Sequence, residues 1–257
     1  MTGSKDSTCR VYSLHPIEGY SPVTFSAHRD KIITAAFVQD SLDIYTVSRD
    51  GSCMIWRHQD QATIARLRLE YLERRAAEAA EEGDEENAMV PEPRPAPPHR
   101  WSLTLADKHY FLQDHAKVAS AVLHAPSDVL VVGFSNGVFG LYEMPDFNNI
   151  HTLSVSQVRI TTTAVNATGE WLAFGCAGKG QRLVGGGQSE TYVRKQQGHQ
   201  NDITASHHSP DGRYLASGGS DGKVKLWDTS SGCSVITFSE HAAEVTGLAF
   251  AQSGLVV

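Results

Sequence analysis

Two stretches of this chain carry the same residue types at the same spacing, and that coincidence constrains the fold more than any other feature. From His28, Thr46 lies 18 residues on, Asp50 lies 22 on and Trp56 lies 28 on. From His199, the same steps reach Ser217, Asp221 and Trp227. In the second copy Ser-Asp-Gly makes a tight turn, because Gly222 tolerates the positive φ that such turns need. Lys223, Val224, Lys225, Leu226 and Trp227 then alternate polar and apolar as a half-buried strand does. A second Asp-Gly turn, at Asp211-Gly212, precedes a further short strand. The sequence therefore reads as short antiparallel strands joined by tight turns and repeated along the chain.

This pattern resembles a WD repeat, a blade of four antiparallel strands in about 40–45 residues. The resemblance implies a buried hydrogen-bonded set in each well-formed blade: His28, Thr46, Asp50 and Trp56 in one, and His199, Ser217, Asp221 and Trp227 in the other. The chemistry is consistent, since an indole only donates, a hydroxyl does both and a carboxylate only accepts. Such a set specifies structure strongly when complete and is costly when broken.

A chain of 257 residues can bury a sizeable core as one all-β unit. No apolar run approaches the roughly 20 residues of a membrane helix, and the N-terminus lacks the apolar segment of a secretory signal. Cys9, Cys53, Cys176 and Cys233 are scattered without a CxxC pair and read as reduced thiols of an intracellular protein. The formal charge is −7, with eight acidic and two basic residues between Glu70 and Glu86. The remainder is almost neutral, and no basic patch of the kind that grips nucleic acid shows in the linear sequence.

In chain order, residues 1–56 read as a half blade followed by the first full blade. Tyr12 stands six residues after Asp6, as Trp56 stands after Asp50. Residues 57–100 break the rhythm with a run of helix formers and then a Pro-rich tract, and read as an acidic insertion, partly helical or disordered. Residues 101–257 resume the blades. One is degenerate, with His115, the Asn136-Gly137 turn and Tyr142 in the Trp position. The next turns at Lys179-Gly180 and places Gly185, followed by Gly186 and Gly187, where Trp is expected; three glycines weaken a strand. The last reading is a blade cut off after two strands. The expected fold is an all-β, partial WD-repeat β-propeller. It has about four whole blades, starting near residues 25, 101, 149 and 192, plus a half blade at each end.

Longer strings narrow the resemblance: SKDSTCRVYSLHPIEGY, YTVSRDGS, VVGFSNGVFGLYEMPDF, ATGEWLAFG, QSETYV, KQQGH and SPDG. These are similar to the periodic tryptophan protein two family, and several are not required by blade geometry. That resemblance implies a nucleolar scaffold of the small-subunit processome. It would act beside other processome proteins, including WD-repeat subunits, with small nucleolar RNP and pre-rRNA contacted mostly indirectly. It implies no cofactor, membrane or small-molecule substrate. The family pattern carries Trp-Glu-Trp where this chain has Gly185-Gly186-Gly187.

Catalytic readings find little support in the sequence. His28, His115, His199 and His241 recur at repeat positions, which assigns them to blade structure, and His207-His208 reads as exposed or partly packed before a turn. Asp50 and Asp221 belong to separate blades, so no carboxylate pair forms. GKGQRLVGGG lacks the Lys-Ser/Thr ending of a phosphate loop. The blade-turn residues Lys31, Lys179 and Asn201 form no basic cluster. A peptide-binding adaptor, for example one that selects substrates for a ubiquitin ligase, is the alternative that the blade pattern alone leaves open.

Overall fold

The computed structural model describes residues 1–14, 22–38, 41–59, 102–111, 115–178, 180–186 and 191–251. The expected insertion falls almost wholly outside these residues. Among the described residues, nineteen strands make five antiparallel sheets. The first sheet has three strands, β1 (Thr2–Gly3), β2 (Cys9–Val11) and β3 (Val23–Phe25). The second joins β4 (Ile32–Phe37), β5 (Ile44–Ser48), β6 (Ser52–Gln59) and β7 (Ser102–Tyr110). The third holds β8 (Val118–His124), β9 (Val129–Phe134), β10 (Val138–Glu143) and β11 (Asn148–Ser154). The fourth holds β12 (Ile160–Val165), β13 (Trp171–Cys176), β14 (Gly180–Gly186) and β15 (Thr191–Gln197). The fifth holds β16 (Ile203–His208), β17 (Tyr214–Gly219), β18 (Val224–Asp228) and β19 (Ser234–Phe238). The fold is a partial WD propeller, and the one helix among the described residues is a single 3-10 turn at Ala125–Ser127.

The innermost strands β4, β8, β12 and β16 pack one against the next, and β1 packs against β4. The core lies between sheets rather than inside any one of them. Successive strand residues point to opposite faces, so each middle strand feeds two cores. Ile44, Met54 and Trp56 of the second sheet join Cys9, Val11 and Phe25 of the first. Tyr45, Val47, Cys53 and Ile55 face the other way and meet Leu130, Val132, Phe134 and Tyr142 of the third. Two buried faces explain why β5 is buried at every position.

A small notch registers each sheet on the next, except between the second and third, where Val47 stands at the glycine position. A side chain added at Gly3, Gly133, Gly175 or Gly218 would come within 2.7, 2.8, 2.8 and 2.5 Å of Ile32, Ile160, Ile203 and Val245, respectively. These β-branched residues seat against β1 in the first sheet and against the second strands β9, β13 and β17 in the others. The Thr161 hydroxyl donates to the Ile203 carbonyl, and the Thr204 hydroxyl donates to that of Val245 in the same way. Val245 thus occupies the position that opens an innermost strand, as the expectation of a further blade requires. The described residues 239–251 nevertheless form no strand, only an isolated bridge at Phe250. The N-terminal half blade in turn holds three strands rather than two, because β1 pairs with β2.

Two sequence expectations need correction. Strand pairing sets Leu172 opposite Val184, as it sets Ile44 opposite Trp56 and Leu215 opposite Trp227. Val184, not Gly185, therefore holds the Trp position, and it is buried against the third sheet. A shift of one residue moves a side chain to the opposite face. Gly185 faces the fifth sheet, where the Trp171 ring covers it; a Cβ there would sit 2.5 Å from that ring. Trp171 in turn packs against the cluster containing Trp227. The glycine makes room for an indole supplied by the neighbouring strand.

The second correction concerns His208. His207 is exposed, but His208 is buried, at a position held by Phe37, Leu123 and Val165 in the sheets before it. Neither ring nitrogen has a hydrogen-bond partner, and Tyr214 brings its backbone near without a bond of ordinary geometry. Burial, followed by the neighbouring His207, lowers the His208 pKa to about 4.

Two outcomes follow from these packing details. Gly185→Trp should destabilise the fold by about 1–3 kcal/mol through overpacking against Trp171, measured as a lower urea midpoint; a raised midpoint would contradict the register. His208 folds neutral, so its contribution is complete above the unfolded value near 6.5 and is lost as pH falls from there towards 4. His208→Leu should therefore lose less stability than the parent between pH 7 and pH 5, and parallel losses would show that the imidazole is not confined.

Candidate functional site: the turn face and the networks beneath it

In each four-stranded sheet the turn between the second and third strands, and in the first sheet the turn between β1 and β2, lies at the same end as the loop that leaves the sheet towards the next. This end forms one continuous face, and two buried networks support it. In the second sheet, the Trp56 indole N–H donates to the Thr46 hydroxyl at 2.8 Å, and that hydroxyl contacts His28 Nε2 at 2.7 Å. His28 Nδ1 meets Ser52 Oγ at 2.8 Å, and the Ser52 hydroxyl donates to Asp50 at 2.6 Å. A neutral His28 protonated at Nδ1 makes this a one-way relay from indole to carboxylate. In the fifth sheet, Trp227 donates to Ser217 at 2.7 Å, Ser217 contacts His199 Nε2 at 2.8 Å, and His199 Nδ1 reaches Asp221 directly at 3.1 Å.

The structure thus brings all four residues of each set together, with one difference between them. Asp50 reaches His28 only through Ser52, a residue that spacing did not single out. The signal was present in the Asp-Gly-Ser string, since a serine two residues after a turn Asp can bond its carboxylate. Each set ties a turn to the loop beside it. Asp221 also accepts the Gln200 N–H at 2.9 Å and the Lys223 N–H at 3.1 Å.

The electrostatics are those of filled structural sites. Burial lowers the His28 pKa, and Asp50 only partly restores it. Burial alone would raise both turn carboxyls. The Ser52 hydroxyl and N–H keep Asp50 below the usual carboxylate range, and the Gln200 N–H with His199 does the same for Asp221. Each indole N–H, hydroxyl and imidazole nitrogen in these sets is bonded within its own set, counting Ser52 with the first.

Packing takes the place of the network in the two degenerate sheets. His115 is exposed, and Asn136 accepts only the Val138 N–H at 3.2 Å. Tyr142 holds the Trp position against Phe111, with ring centroids 4.5 Å apart, while Phe147 stacks on His109 at 4.5 Å. In the fourth sheet Phe174 stacks on Phe139 at 4.5 Å. His241 is exposed. Among the described residues no group of three or more His, Cys, Asp or Glu is placed to hold a metal ion. Cys9, Cys53 and Cys176 are buried, and burial raises the pKa of the Cys9 and Cys53 thiols.

The two kinds of turn predict different sensitivities. Asp221→Ala leaves the buried His199 and two backbone N–H groups without their acceptor and should cost about 1–3 kcal/mol. Asn136→Ala removes one exposed-side bond and should cost distinctly less. Equal shifts of the urea midpoint for the two variants would contradict this assignment.

Comparison with known proteins agrees with these repeats. The model of the WD domain, G-beta repeat, matches residues 19–57 and 190–228, the two stretches that carry the full networks. Periodic tryptophan protein 2 homolog of Mus musculus is 38% identical over 255 residues, covering 94% of this chain and 28% of the relative. Periodic tryptophan protein 2 of Arabidopsis thaliana is 35% identical over 291 residues, covering 97% of this chain and 31% of the relative. The Dictyostelium discoideum homolog is 52% identical over 134 residues, covering 52% and 14%. The chain spans less than a third of the length of these relatives. With its blades and their networks, this chain is a WD-repeat protein of the periodic tryptophan protein 2 family.

Proposed function

We propose that this chain serves as a non-catalytic scaffold segment in nucleolar assembly of the small ribosomal subunit. It would hold neighbouring proteins of the processome in place while the small-subunit precursor RNA is processed. The observation that carries this reading is the similarity to periodic tryptophan protein 2 along nearly the whole chain, beyond the two matched WD repeats. Proteins with WD repeats generally act as scaffolds rather than catalysts. The polar clusters described above also spend their hydrogen bonds inside the blades, where they position turns. Contacts to precursor RNA and small nucleolar RNP would then pass mostly through protein partners, and the protein would reside in the nucleolus.

Depletion of the protein should stop maturation of small-subunit rRNA while large-subunit rRNA continues to accumulate. Affinity capture from nucleolar extract should recover processome proteins together with precursor RNA. Normal small-subunit rRNA after depletion would overturn the proposal.

A further inference from the structure

Backbone hydrogen bonds identify the equivalent positions around the turn face. The Arg49, Ser135, Ala177 and Ser220 N–H groups donate to the carbonyls of Lys31, Lys117, Arg159 and Asp202, respectively, at 2.8–3.0 Å. These four carbonyl residues each stand immediately before an innermost strand, at the mouth of the turn face. Three consecutive sheets therefore present a cation at this position, and the fifth presents a carboxylate. The residue before Val245 is Glu244, again acidic. The set Lys31, Lys179 and Asn201, which gave no cluster in the sequence, mixed positions that are not equivalent.

The same face carries two further cations at a second equivalent position. The Ile32 N–H donates to the Ser4 carbonyl as the Val245 N–H donates to that of Gly219. Lys5 in the first sheet therefore matches Arg49 in the second, each being the first residue of its turn. Lys5, Arg49, Lys117 and Arg159 are exposed and Lys31 is half-buried. The carboxylates nearby are turned back into their own loops: Asp6 onto the Thr8 N–H and hydroxyl, Asp30 onto the Lys31 N–H, and Asp50 onto Ser52. Among the described residues, the one ion pair made by these cations is Arg159 with Asp202 at 3.8 Å. Both partners are largely solvated, so that pair is weak and exchangeable.

The opposite end of the sheets has the reverse character. Its described turns hold Asp43, Asp128, Glu143, Asp146, Glu170 and Asp211, together with Asp228, against Arg57 and Arg213. The turn face thus gathers its cations in the first four sheets, with Asp202, Asp221, Glu240 and Glu244 beyond them, while the described turns of the opposite end are predominantly acidic.

From this arrangement we infer that the cationic arc of Lys5, Lys31, Arg49, Lys117 and Arg159 is a docking surface for an acidic segment of a partner protein. The inference goes beyond the ribosomal reading and does not depend on it. A protein segment fits better than single-stranded RNA for two reasons. The described part of this arc has one exposed aromatic at its edge, Tyr110 at the end of β7, and Lys108 already lies 4.8 Å over that ring, so no row of rings is offered on which successive bases could stack. The chain's charge of −7 opposes the approach of a long polyanion more than that of a short acidic peptide. Lys and Arg at one or two positions per sheet suit carboxylates or phosphorylated side chains presented along an extended segment.

The test is fluorescence anisotropy on the purified protein with a short glutamate-rich peptide and, in parallel, a single-stranded RNA of similar charge. The peptide should bind, with an affinity that falls as salt is raised. Combining Lys31→Glu, Lys117→Glu and Arg159→Glu should weaken it at least about tenfold. The neutral set Lys31→Gln, Lys117→Gln and Arg159→Gln should give a smaller loss with unchanged melting, which separates docking from folding. Asp146→Lys with Glu170→Lys, at the opposite end, should leave affinity unweakened. No peptide binding, equal binding by parent and charge-reversed protein, or tighter binding of RNA through the same residues would overturn the inference.

Discussion

The second, third and fourth sheets of this molecule each have two apolar faces, and none of them can bury both by itself. Ile44 and Trp56 look towards the first sheet while Tyr45 and Val47 look towards the third, so the core of the protein is the set of spaces between sheets. A single sheet detached from its neighbours would expose both sides. Stability is therefore shared along the row, and contacts between neighbours matter more than the strength of any one sheet. The glycine notches fit this requirement. They let a β-branched residue from the next innermost strand approach the backbone, which fixes the spacing and the order of the sheets with one side chain each.

The buried networks solve a different problem at the turn end. Tight turns and entry loops carry many backbone N–H groups, and Asp50 and Asp221 accept several of them while connecting to an indole inside the core. The turn face is thereby anchored to the same Trp residues that fill the spaces between sheets. Where the network is missing, aromatic packing around Tyr142, Phe111 and Phe147 supplies the anchorage. The protein thus positions one face with two kinds of chemistry, leaving charged residues at the rim free to meet other molecules.

The repeat was legible in the sequence wherever a rigid spacing tied turn, loop and Trp together. His28 to Trp56 and His199 to Trp227 could be aligned by counting, and Tyr142 was found at the Trp position for the same reason. Counting fails in the fourth sheet because its turn is one residue longer: the Trp position lies five residues after the positive-φ glycine at Gly51, Gly137 and Gly222, but six after Gly178, where pairing places Val184 in the slot. Trp171 filling the space over Gly185 was not legible, because that contact depends on which faces two paired strands present. The burial of His208 is not legible for a related reason: a polar residue before a turn gives no local sign that its strand position is an interior one. The charged arc was hidden since its members align only through backbone bonds between separate turns.

The most direct measurement of this account is native-state hydrogen exchange of the innermost strands β4, β8, β12 and β16. If the sheets share their cores as described, amides in these four strands should exchange through a common opening at high free energy, and Asp221→Ala should lower protection in β12 as well as in β16. Independent openings, with β12 unaffected by a change in the fifth sheet, would show that each sheet is stable on its own and would contradict the account.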